Sequence, residues 1–149
     1  MKSSTVKILL LSTILALTSI RTHAQFTALS VISNAKGAPA NLKMTELRAV
    51  LKGERLRWAD GSKVVIALMK TNTPIGLNTC NRLYNMNAND LNKMFLALVF
   101  QGKGEAPIFF ETQRELQAFV KQTPGAIGIV ESTAIFRDKV LNIDGKKSI

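Results

Sequence analysis

Apolar positions change period several times along the chain, and each change marks an element. Phe26 to Ser33 alternates loosely, with Phe26, Leu29, Val31 and Ile32 apolar, and predicts a first strand. Asn34 to Pro39 is rich in turn formers and predicts a loop. Thr45 is the expected N-cap of a first helix, with Glu46 at the positive end of its dipole. Leu47, Val50 and Leu51 fall on one face of that helix, and Gly53 offers a left-handed stop. Trp58-Ala59-Asp60-Gly61 carries a turn signal. Val64 to Met69 is a short apolar run, the pattern of a strand buried on both faces. Lys70 to Asn78 is polar and reads as a loop leading to a helix over Thr79–Met86. Asn89 or Asp90 is the expected cap of the next helix, which spaces Leu91, Met94, Phe95, Leu98 and Val99 helically and ends at Gly102-Lys103-Gly104. Pro107–Phe110 predicts a strand. Thr112 then caps a helix with Leu116, Phe119 and Val120 inward, and Thr123-Pro124-Gly125 breaks it. Ala126–Val130 predicts a strand in which Gly128 permits close backbone approach. Ala134 to Ile143 predicts a last strand, ending at Asp144-Gly145. Strands alternating with helices indicate an α/β domain.

The first 24 residues do not belong to that pattern. Lys2 and Lys7 precede an apolar run, Ile8–Leu17, and Thr22-His23-Ala24 supplies small residues at the two positions that matter for cleavage, so residues 1–24 read as a secretory signal peptide. The run is too short for a comfortable membrane span and Arg21 ends it. Residues 25–149 then form one domain, and no transmembrane helix is expected after cleavage.

Composition acquires meaning after that subtraction. The whole chain carries a formal net charge of +10 with a pI near 10.1. Losing Lys2, Lys7 and Arg21 leaves +7, and losing His23 removes the only histidine. Ser-His-Asp and Cys-His nucleophilic schemes need an imidazole base, and ordinary zinc sites need several His or Cys ligands. The expectation is therefore no enzyme, no catalytic residue, no metal site and no cofactor. Cys80 is the lone cysteine and cannot form an internal disulfide; it reads as a buried, inert thiol. Six basic residues between Lys36 and Arg57 (Lys36, Lys43, Arg48, Lys52, Arg55 and Arg57) face only Glu46 and Glu54. They read as a solvated basic face. A nucleic-acid partner is disfavoured by the export signal and by sparse aromatics.

Three ordered segments go beyond composition. They are Leu47-Arg48-Ala49-Val50-Leu51-Lys52-Gly53 with Arg57-Trp58-Ala59-Asp60-Gly61, then Leu98-Val99-Phe100-Gln101-Gly102-Lys103-Gly104, then Thr123-Pro124-Gly125-Ala126-Ile127-Gly128-Ile129-Val130. Their order and wording resemble the phosphate-type periplasmic substrate-binding proteins of ABC transporters, over about Phe26 to Ser132. The resemblance implies an α/β single lobe, similar to one half of a type 2 periplasmic-binding-protein fold, in the periplasm. In that family a strand leads through an Arg-containing loop to a Ser-Gly-Thr turn at a helix N-terminus, where N–H groups, hydroxyls and a guanidinium surround an oxyanion. The matching stretch here is Lys70-Thr71-Asn72-Thr73-Pro74-Ile75-Gly76. The resemblance therefore implies ligand-binding roles for Lys70, Thr71, Asn72, Thr73 and Gly76. Lys70 stands near the family arginine and Thr73 near the hydroxyl of the turn. The Ser-Gly-Thr itself is absent, Pro74 lacks an N–H, and lysine lacks the bidentate fork of arginine. The implied partners are a small phosphate-like oxyanion, held weakly or with a second component, and an ABC permease or another envelope protein. The alternative is a ligand-free envelope interaction module on the same fold.

Overall fold

The computed structural model describes residues 27–135 and 139–149, so the segment read as a secretory signal lies outside the described residues. In chain order the elements are β1 (Leu29–Ser33), β2 (Asn41–Leu42), α1 (Met44–Leu51), β3 (Val65–Met69), α2 (Pro74–Thr79), α3 (Ala88–Phe100), β4 (Ile108–Phe110), α4 (Gln113–Gln122), β5 (Ala126–Glu131), β6 (Lys139–Val140) and β7 (Asn142–Ile143). The main sheet runs β4-β3-β5-β1-β6. β4, β3 and β5 are parallel, whereas β1 is antiparallel to both β5 and β6. A second, two-stranded sheet pairs β2 with β7 in parallel.

The sheet is covered on both faces, which explains why its strands are nearly continuous apolar runs. One face packs Leu29, Val31, Leu68, Ile127 and Ile129 against α1 and α3. The other packs Ile32, Ala67, Ala126 and Val130 against Leu116 and Val120 of α4. Along β5, positions 126, 128 and 130 share the α4 face by the two-residue repeat of a strand. Gly128 permits close packing there: a Cβ would lie 2.7 Å from Leu116 Cδ2 and 2.9 Å from Val120 Cγ2. Trp58 is buried, and its indole N–H donates to the Gly125 carbonyl at 2.8 Å. That bond ties the Trp58–Gly61 turn to the start of β5.

Several boundaries differ from the sequence reading. The strand read from Phe26 is paired only over Leu29–Ser33, and all five of those residues are buried, Ser30 and Ser33 included. α1 starts before Thr45: Lys43 is the N-cap, and Glu46 Oε2 accepts its N–H at 2.8 Å. Pairing of Leu42 with Ile143, and an Asp144 carboxylate accepting from the Met44 N–H at 3.2 Å, turn the chain early.

Lys70–Asn78 is not one loop. α2 begins at Pro74 and continues as a π-helical turn over Cys80–Tyr84, which Asn85 ends at φ 53°. The buried residues of α2 are Gly76, Asn78 and Thr79, small and polar residues that hydropathy does not register, whereas Cys80, Leu83 and Tyr84 of the π-helical turn fall within the helix read over Thr79–Met86. α3 is capped by Asn87 rather than Asn89 or Asp90; Asn87 Oδ1 accepts from the Asp90 N–H at 2.9 Å. Val99 does not share the buried face of Leu91 and Phe95 and is 46% exposed. Thr112 caps α4 as expected, and Phe119 is only partly buried.

The single strand read over Ala134–Ile143 is broken. Ser132–Ala134 form a 3-10 turn, residues 136–138 lie outside the described residues, and β6 and β7 pair in different sheets. Fully buried Leu141 is the pivot; its N–H donates to Val31, while that of Asn142 donates to Ala40.

Candidate functional site

Because β3, β4 and β5 are parallel, their C-terminal ends share one edge of the sheet. Crevices outside that edge are where open α/β sheets hold ligands. Lys70 follows β3, Glu111 follows β4, and Ser132 follows β5. The Lys70 N–H donates to the Phe110 carbonyl at 2.9 Å, carrying the β3–β4 ladder one residue past the strand.

The turn after β3 is tightly tied. The Lys70 carbonyl accepts from the Thr73 N–H at 2.9 Å and from the Thr73 hydroxyl at 2.7 Å. Thr73 is also the N-cap of α2, its Oγ1 accepting from the Gly76 N–H at 3.0 Å. Pro74 stands at the first helical position, where a missing N–H costs nothing. Gly76 is required by contact: a Cβ would lie 2.0 Å from the Lys70 carbonyl oxygen and 3.0 Å from that of Met69.

The five candidate residues are therefore brought together, in two layers. Thr73 and Gly76 bond to each other and frame the turn. Lys70, Thr71 and Asn72 line an open depression of about 410 Å³ together with Asn92 of α3 and Phe109 of β4. Thr71 and Asn72 side chains have no hydrogen-bond partner among the described residues. Lys70 is not free: its Nζ lies 2.5 Å from Glu111 Oε1. The Lys70 ammonium, by hydrogen bond and charge, holds the Glu111 carboxyl below the usual carboxylate range. Both side chains are largely exposed, so the pair is screened and worth little to stability.

Glu111 was not singled out from the sequence, because 41 residues separate it from Lys70. No local sequence pattern pointed to it: Met69 and Phe110 are register partners in the folded sheet, so the residues that follow them, Lys70 and Glu111, emerge side by side. Chemically, the arrangement offers an ammonium with two N–H groups beyond its carboxylate partner, one hydroxyl and two carboxamides, Asn72 and Asn92, around an open depression. That is half of an enclosure.

No known family profile matches the chain, and no curated protein matches it in sequence. Solved structures do match it in fold. An ABC-type phosphate transport receptor from Vibrio cholerae superposes with a TM-score of 0.65 at 10% identity, over 83% of this chain and 49% of that one. A phosphate ABC transporter substrate-binding protein with bound phosphate from Clostridium perfringens gives 0.63 at 9% identity, over 82% and 47%. PstS from Borrelia burgdorferi gives 0.61 at 18%, over 80% and 48%. The chain thus spans about half the length of these structures. Its fold is that of a single lobe of a periplasmic binding protein.

Proposed function

We propose that this chain is an exported, one-lobe solute-binding protein of the envelope, which holds a small phosphate-like oxyanion weakly at the Lys70–Asn72 turn. The observation that carries this reading is the position of that turn. It lies at the C-terminal edge of the parallel strands, in a fold shared with half of several phosphate-transport proteins. Lys70 supplies the charge, Thr71 and Asn72 supply neutral donors, and Thr73 and Gly76 hold the turn in shape. Contacts in an open half-site are screened by water, so useful affinity requires a second surface to close over it. An ABC permease or another envelope protein would provide that surface. The reading is of a binder and not of an enzyme. Export is supported by the signal-like pattern of residues 1–24, and a periplasmic location by the family resemblance. No described helix is long and apolar enough to cross a membrane.

A thermal-shift panel on the chain from Gln25 onward, with phosphate, sulfate, molybdate and carboxylates at matched ionic strength, tests this. Ligand at ten times Kd stabilises by about 1.4 kcal/mol, a shift of a few degrees. One anion should shift the transition, and Lys70→Ala should abolish the shift. A flat panel, or an undiminished shift in Lys70→Ala, would sink the reading. The second reading, an envelope interaction module with no small ligand, is favoured by the internal commitments of the site. Glu111 occupies Lys70, and Thr73 and Gly76 satisfy one another.

A further inference from the structure

The basic run at residues 36–57 does not form one face. Arg48 reaches toward the Arg82 carbonyl, while Arg55 and Arg57 join Lys63 at a groove on the opposite end of the sheet from Lys70. The groove lies where β3 and β4 begin and has a volume of about 470 Å³. Leu56, Val64, Ile66 and Ile108 supply its apolar wall, and Gly102 and Gly104 close one side. Leu56 is 51% exposed and Ile108 43%, so part of the apolar wall is open to solvent. Two of the lining residues, Val50 and Ile66, belong to the core, so the recess is built into the fold.

The charge around it is one-sided. Lys63 is paired with Glu105, the only acidic lining residue. Arg57 donates to the uncharged Gly61 carbonyl at 2.9 Å, and Arg55 makes no hydrogen bond to any described residue. Among the described residues, these two guanidiniums thus stand without an ion-pair partner beside an apolar wall.

We propose that this groove docks a short segment of a partner protein in which acidic and apolar residues are interleaved. Its apolar side chains lie on Leu56 and Ile108, and its carboxylates meet Arg55 and Arg57, which favour the planar bidentate geometry of carboxylates. Charge complementarity selects an acidic occupant, and the apolar wall selects one that is not merely charged. A recessed wall at Val64 and Ile66 is out of reach of a flat bilayer, and the lining residues include no aromatic ring on which a nucleobase could stack. Docking here is independent of any anion held at Lys70.

The test is a chemical-shift titration of the ¹⁵N-labelled chain from Gln25 onward, which contains every described residue. The probe is a synthetic peptide of alternating glutamate and leucine; its lysine-for-glutamate counterpart and phosphatidylglycerol vesicles are run in parallel. Shifts should concentrate on residues 55–57, 63–66 and 104–108. Affinity should fall at least tenfold in Arg55→Glu/Arg57→Glu and in Leu56→Ser, and severalfold as salt rises from roughly 50 to 500 mM. It should be unchanged in Lys70→Ala, which separates this site from the anion half-site. All four substituted positions are exposed or half-exposed, and a dispersed spectrum verifies that each variant is folded. Equal binding of the lysine peptide, shifts located elsewhere, binding to vesicles alone, or binding to neither would each overturn the proposal.

Discussion

Gly76→Ala should destabilise the protein although it replaces the poorest ordinary helix former by the best. Helix propensity alone favours alanine by about 1 kcal/mol. The local geometry reverses the sign. The new methyl carbon would sit 2.0 Å from the Lys70 carbonyl oxygen and 2.7 Å from the carbonyl carbon, both backbone atoms. Carbon–oxygen contacts close at about 3.3 Å, so the start of α2 must retreat from the end of β3 by roughly 1.3 Å. The Lys70 carbonyl accepts two donors from Thr73, and Thr73 Oγ1 caps α2 through the Gly76 N–H. Retreat breaks the cap, worth about 1 kcal/mol, and the two hydrogen bonds to the Lys70 carbonyl, worth about 1 kcal/mol each. Set against the propensity gain, the net loss is about 2 kcal/mol. Urea unfolding followed by far-UV circular dichroism and by fluorescence of Trp58 reads it as a lower midpoint at unchanged slope. Thr73→Ala should cost about 1 kcal/mol, and the double variant less than the sum, because both changes remove the same cap. A Gly76→Ala variant as stable as the parent, or fully additive costs, would refute the packing argument.

Other expectations follow from the same structure. Glu111 is held below its ordinary value of 4.5 by Lys70, so the pair's contribution is complete at neutral pH and disappears as pH falls through the lowered folded-state value. Glu111→Gln should therefore be nearly neutral at pH 7 and flatten the acid limb of a midpoint-against-pH curve; a steeper limb would contradict the pairing. Cys80 is 1% exposed and burial pushes its thiol up, so iodoacetamide should modify it only as the protein unfolds. Rapid labelling of the native protein would show that the Cys80 environment is open. Tyr84 is buried, with its hydroxyl donating to the Leu51 carbonyl at 3.2 Å, so Tyr84→Phe should cost about 1 kcal/mol. Its edge-on packing against Phe95, at 5.7 Å, is retained in the variant, which makes an unchanged urea midpoint the contrary result.

Elements were legible where hydropathy and turn chemistry agree. Leu47, Val50 and Leu51 defined α1, Val64–Met69 predicted the central β3, Thr112 marked the start of α4, and Gly128 stands where α4 packs closely. The helix read over Thr79–Met86 meets the π-helical turn Cys80–Tyr84, but its start at Pro74 escaped, because the buried residues there are Gly76, Asn78 and Thr79, which hydropathy does not register. Lys70–Gly76 was legible as a candidate site through its order after a strand, because local chain order survives folding. Its division into an outward Lys70–Asn72 rim and an inward Thr73–Gly76 clasp was not.

Local residue chemistry thus determined the α/β class, most element positions, the absence of a histidine from residues 25–149 and the candidate anion turn. Tertiary structure decided whatever depends on which distant residues meet. It placed Glu111 against Lys70 through the register of β3 and β4. It divided Ala134–Ile143 between two sheets by burying Leu141. It gathered Arg55, Arg57 and Lys63 at a groove, although the sequence shows only a run of charge. The physical reason is range. Propensity, capping and turn formation act over a few residues, whereas strand register and the meeting of side chains follow from packing across the whole sheet.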